Sequence, residues 1–194
     1  MLDAKPGHRT PAYTATVGMW LFLAALTMLF GATMVGYLII RTRAGGAAAM
    51  GTLRFPPLLW LSTAVILTGS LTIHLAVSAA RRERQLDLRR WMAATCVLAA
   101  LFCCVQVPAL ASLWSQHEAA RSHSMYLYGL IVILIIVHAL HVLGGIIALG
   151  IATRHAFQGR YDHEHYNGVK HASMYWHFLD VVWLVMFLGM FFAG

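Results

Sequence analysis

Two short patterns in the chain carry side chains capable of chemistry. His138 and His141 stand three residues apart, and His177 and Asp180 repeat that spacing with Tyr175, Trp176 and Trp183 around them. Residues at this spacing share one side of a helix. His74 and Gln106 are two further polar groups set in apolar surroundings. In a bilayer each ionisable group costs roughly 2.5–3.5 kcal/mol by insertion scales unless it is paired or faces a cavity. Three readings of these residues stay open. They can hydrogen-bond one another across helices and hold a bundle together. His138, His141 and His177 can ligate a metal, as imidazoles often do, provided that they converge. Asp180 and the histidines can relay protons or meet a lipid headgroup.

A second cluster, His163, Glu164, His165 and His171, lies among Arg160, Asp162 and Lys170. It reads as a solvated loop that responds to pH, with a metal there weakly supported. Membrane hydroxylases with two metals use several histidine pairs at helical spacing, and no such set is present. There is also no Gly-rich phosphate loop, no Ser nucleophile elbow and no Cys-x-x-Cys-His for covalent haem.

The elements that must position these groups are apolar. Of 194 residues, 60% are hydrophobic and 11% charged, against about 25% charged in soluble domains. Mean hydropathy is +0.69. Five runs are long enough to cross a bilayer, roughly 17–40, 57–79, 91–114, 126–152 and 173–192. The expected fold is therefore all-α, a polytopic transmembrane bundle of five helices forming a single membrane domain over 1–194. No intervening stretch is long enough for a soluble domain. The run after the polar N-terminal stretch is too long for a cleaved signal peptide.

The formal charge of +7 sits in short loops, which suits topology control and anionic lipid rather than nucleic acid. Lys5, Arg9, Arg81, Arg82, Arg84, Arg89, Arg90, Arg154, Arg160 and Lys170 share one side; Arg41, Arg43, Arg54 and Arg121 share the other. This asymmetry predicts the N-terminus inside and the C-terminus outside. Cys96, Cys103 and Cys104 all lie in one apolar run, so no disulfide framework is expected. Ala32 with Gly36, and Gly144 with Ala148, have the spacing of small-residue helix contacts.

Several segments resemble a known family. Tyr175-Trp176-His177-Phe178-Leu179-Asp180-Val181-Val182-Trp183 is similar to the last-helix signature of subunit III of haem–copper oxidases. His138-Ala139-Leu140-His141-Val142-Leu143-Gly144-Gly145 resembles the preceding helix, and Gly18-Met19-Trp20-Leu21-Phe22-Leu23 the family's third helix. Leu61-Ser62-Thr63-Ala64 and Thr68-Gly69-Ser70 echo its fourth. The motifs occur in family order along nearly the whole chain, which is similar to the last five of the family's seven helices.

The resemblance implies an accessory subunit without redox centres in a multi-pass bacterial inner-membrane complex. Haem and copper would reside in the partner subunit I, with subunit II also present. This chain would support subunit I, help to maintain proton uptake and hold phospholipid in a cleft. Trp20, His138, His141, Tyr175, Trp176, His177, Asp180 and Trp183 would then be structural, lipid-facing or subunit-facing, with no catalytic, cofactor or metal ligand among them. The chain departs from the family at three places. Ala25 and Leu26 stand where a Ser-Glu pair is usual, Ala109 and Leu110 where a Glu-aromatic pair follows the Gln matched by Gln106, and Lys170 where many members carry Glu. Proton chemistry tied to the usual helix carboxylate is therefore not transferred. A nitric-oxide-reductase accessory protein of the same fold and an independent histidine-dependent membrane metallo-oxidoreductase are the alternatives. A transporter is disfavoured by the lack of repeats and of paired broken helices.

Overall fold

Each apolar run becomes one long helix, because a backbone in hydrocarbon must satisfy its own hydrogen bonds. The computed structural model describes residues 12–42, 58–119, 125–159 and 167–193. Among them the helices are α1 (Ala12–Thr42), α2 (Leu58–Arg81), α3 (Gln85–Ala119), α4 (Met125–Phe157) and α5 (Asn167–Ala193). All five are long and apolar enough to span a membrane.

Most helices outrun the predicted segments. At 24 to 35 residues they extend roughly 36–52 Å at 1.5 Å per residue, beyond the ~30 Å hydrocarbon core. The added turns carry polar residues, such as Gln85, Asp87, Arg89 and Arg90 at the start of α3. Apolar runs report only the part in hydrocarbon, while the helix continues into the headgroup layer. One consequence corrects the sequence reading: Lys170 and His171 belong to α5 and not to a loop. His163, Glu164 and His165 fall outside the described residues.

α2 and α3 form a tight antiparallel hairpin. The amides of Arg82 and Arg84 return to the Ala79 carbonyl at 3.2 and 3.1 Å, and that of Glu83 to Ala80 at 3.2 Å. Glu83 takes a left-handed φ of 57° to close this turn, a conformation disfavoured for residues with a Cβ. At the end of α4, Gly159 at φ 66° donates its N–H to the Ala156 carbonyl at 3.1 Å. The Arg89 Nε–H also reaches the Ala156 carbonyl, at 3.2 Å, and ties α3 to that end.

α2 packs on α3, α3 on α4, α4 on α5 and α5 on α2, which closes a ring of four. α1 lies outside the ring against α4 and α5, and among the described residues it does not pack on α2 or α3. α5 is touched by α1, α2 and α4, and α4 by α1, α3 and α5. The ring interior holds Trp183, Phe102, Phe187, Ile66 and Met92, all buried. The close approach of α4 to α5 is at Gly145, where a Cβ would lie 2.7 Å from Leu179 Cδ1 and 2.9 Å from Tyr175 Cε1. Of the two pairs singled out by spacing, Gly144 and Ala148 are instead exposed in a groove beside α1, while Gly36 of the Ala32 pair faces Leu130 of α4, 3.8 Å from where a Cβ would stand. Cys96, Cys103 and Cys104 are all free thiols on α3.

Candidate functional site

α5 presents a different polar or aromatic group to each of its neighbours. Toward the ring interior, Trp183 is fully buried and donates its Nε1–H to Thr63 Oγ1 on α2 at 3.0 Å. That hydroxyl is free to accept, because its own proton goes to the Leu59 carbonyl at 2.8 Å. Phe102 meets the indole edge-on at 6.1 Å, and the His138 ring lies 5.4 Å away. His138 is buried, and neither ring nitrogen has a hydrogen-bond partner among the described residues. Gln106 on α3 is buried in the same state. Trp176 packs over Gly69, with its ring 3.4 Å from where a Cβ would stand.

Toward α4 and α1, the Tyr175 hydroxyl donates to the His141 carbonyl at 2.9 Å. His141 donates its Nδ1–H to the Val137 carbonyl at 2.6 Å, and its ring sits against Phe30 of α1 at 4.9 Å. Leu26, at the place of the usual carboxylate, is buried with Leu23, Tyr175 and Leu179. A carboxylate in that apolar contact would lack a partner, so the leucine fits the local packing. Ala109 is likewise buried in the ring. At the other end of the α1–α5 contact, Thr16 Oγ1 and His171 Nε2 lie 3.3 Å apart.

Toward α2, His177 Nδ1 lies 2.6 Å from Ser70 Oγ and 3.7 Å from Asp180 Oδ2. Asp180 is 4% exposed, and neither carboxyl oxygen has a hydrogen-bond partner among the described residues, His177 being the cationic group nearest to it. The His177 side chain remains 42% exposed, and the ring of His74, exposed on α2, stands 6.5 Å from it.

The geometry therefore divides the predicted residues among three places. His138 points to Trp183, His141 to Phe30 and His177 to Ser70, so the three imidazoles do not converge. Among the described residues there is no group of three or more His, Cys, Asp or Glu placed to hold a metal. Trp20 is exposed on α1 and lines a cavity of about 710 Å³ between α1 and α5, together with Met28, Met34, Met174, His177 and Val185. A smaller cavity of about 310 Å³ is lined by Met19, Phe22, Gly144, Ala148, His171 and Tyr175. Sequence reasoning quoted Thr63 and Ser70 only as parts of motifs. Their roles as partners of Trp183 and His177 come from helix neighbours 120 and 107 residues away. The Thr72–Thr95 hydroxyl pair, 2.9 Å apart between α2 and α3, had no sequence signal.

A five-helix membrane bundle that ties its last two helices together with polar and aromatic side chains defines the class. The comparisons place it further. The family model described as cytochrome c oxidase subunit III matches residues 7–194, and the chain belongs to that family. It is 27% identical to the cytochrome c oxidase subunit 3 of Thermostichus vulcanus, over 93% of this chain and 87% of the relative. The subunit of that name from Bacillus sp. strain PS3 is 28% identical, over 92% and 85%. The quinol oxidase subunit 3 of Bacillus subtilis is 29% identical, over 92% and 86%. The chain is thus a subunit of a haem–copper oxidase that assembles with other oxidase subunits, and a multi-pass protein of the bacterial inner membrane.

Proposed function

We propose that this chain is the accessory subunit of a respiratory haem–copper oxidase and works as a single membrane domain without redox chemistry of its own. Its partner, subunit I, would hold haem and copper, and subunit II would complete the complex. The complex would pass electrons from cytochrome c or quinol to oxygen and couple this to proton translocation. The observation that carries the reading is the division of His138, His141 and His177 among three separate contacts. The signature residues join helices and build no shared centre. This also weighs against the independent metallo-oxidoreductase, which needs those histidines together.

The proposed orientation is N-terminus inside and C-terminus outside. It rests on the excess of Lys and Arg at the α2–α3 turn, the end of α4 and the start of α5. The groove of Gly144, Ala148, Phe22 and Tyr175, with His171 and Thr16 at one end, suits a phospholipid acyl chain below a polar head.

The test is a comparison of the purified oxidase with and without this chain. An accessory role predicts that oxygen reduction persists in its absence, while protons moved per electron or the number of turnovers before inactivation falls. Complete loss of haem reduction on removal would contradict it.

A further inference from the structure

We infer that the face of α5 left open between α1 and α2 seats a transmembrane helix of a neighbouring oxidase subunit, which offers a hydrogen-bonding side chain to His74 and His177. The inference rests on the oxidase reading above and adds where the partner docks and by what chemistry.

α1 and α2 both pack on α5 but, among the described residues, not on each other. Between them α5 shows His177, Val181 and Leu188, and α2 adds Leu67, Leu71 and His74. The cavity between α1 and α5 opens beside this face and shares His177 and Val181 with it. Exposed aliphatic side chains are ordinary on a lipid-facing surface. Two exposed imidazoles are not. Intramembrane ionisable residues face a bundle interior or a cavity because unpartnered polar groups in hydrocarbon are costly. Two exposed threonines of the spans are satisfied within their own helices: Thr33 donates to Leu29 and Phe30, and Thr68 to Ala64. Among the described residues His74 makes no such bond and meets only the ring of His177. His177 uses Nδ1 toward Ser70 and Asp180, which leaves Nε2 for a neighbour.

Depth selects the occupant. Counted from the apolar runs, His177 lies four residues past position 173 and His74 five residues before position 79. These are about 6 and 8 Å into the hydrocarbon, deeper than a lipid phosphate sits. Acyl chains carry no hydrogen-bonding group at that level. A helix with a hydroxyl, amide or carboxyl side chain does, and buried polar contacts of this kind join membrane helices. Behind the face, Ser70 Oγ at 2.6 Å fixes the imidazole of His177, with the Asp180 carboxyl 3.7 Å from the same nitrogen.

The test uses the tagged chain assembled in its native membrane, with the photo-crosslinking amino acid benzoylphenylalanine at position 71 or 97. Leu71 is exposed beside His74, and Val97 is exposed on α3. The expected result is a crosslink from position 71, and none from 97, to a haem-bearing subunit. In parallel, His74→Leu should cut the haem recovered per tagged chain at least fivefold and leave the melting temperature of the isolated chain unchanged or raised. If position 71 crosslinks only to phospholipid, or to a second copy of this chain, the inference is overturned. Wild-type haem recovery in His74→Leu overturns it too, with the oxidase reading intact. No haem with the wild-type chain removes the oxidase reading itself, a separate outcome.

Discussion

Trp183 and Asp180 show how single residues hold this bundle. The Trp183–Thr63 bond is buried and joins α5 to α2. Thr63→Val leaves the indole N–H unpaired, and an unsatisfied buried donor costs about 1–3 kcal/mol. Thermal unfolding of the detergent-solubilised chain should show this loss. The double variant with Trp183→Phe should lose less than the sum, by about 0.6–1.7 kcal/mol, the range of hydrogen-bond couplings between membrane helices. Strict additivity would mean the bond contributes nothing. Asp180→Asn should lower stability by about 1 kcal/mol, because the carboxylate's charge contact with His177, 3.7 Å away, is lost. An unchanged melting curve would contradict it. At this scale the sequence was informative only locally. His177 and Asp180 meet because they stand one turn apart on one helix. Ser70 and Thr63 could not be paired with them, since apolar periodicity does not say which helices are neighbours. His138 and His141 share a face by spacing, but three residues advance 300° and leave them about 60° apart. That suffices to send one to Trp183 and the other to Phe30.

Among elements, the contacts of α5 decide the architecture. Gly145 lets α4 and α5 approach, and Gly145→Ala must displace Tyr175 or Leu179. Overpacking of this kind costs about 1–3 kcal/mol, and it threatens the Tyr175–His141 bond. Gly144→Ala meets only the Tyr175 hydroxyl at an ordinary 3.5 Å and should be near neutral. Equal melting temperatures for the two variants would contradict this reading. The α2–α3 turn makes a second claim at this scale. Glu83 itself bears the left-handed cost of about 1–2 kcal/mol, so Glu83→Gly, which escapes it, should raise the melting temperature, and the β-branched Glu83→Val should lower it. The five helices were legible from apolar run length alone. Their polar end turns were not, because helix continues where hydropathy falls. Which glycine mattered was also hidden, since small-residue spacing is common in Ala- and Gly-rich helices.

The whole molecule is a ring of four helices with α1 added outside, and the family match extends over nearly all of it. The proposed orientation predicts that Arg82→Cys, made in a chain with its own cysteines replaced, reacts with a membrane-impermeant maleimide only from the cytoplasmic side. Labelling from outside intact cells would reverse the topology. The family motifs were readable in order from the sequence because they combine rare intramembrane residues with aromatic ones. The ring closure and the open face of α5 were not, as both depend on helix neighbours. The most direct test of the central claim is purification of the tagged chain from native membranes in mild detergent, followed by a reduced-minus-oxidised spectrum. An oxidase subunit predicts haem bands that co-purify in fixed proportion to the chain and vanish when the complex is dissociated. A pure chain without haem, or metal retained stoichiometrically by the isolated chain, would contradict it.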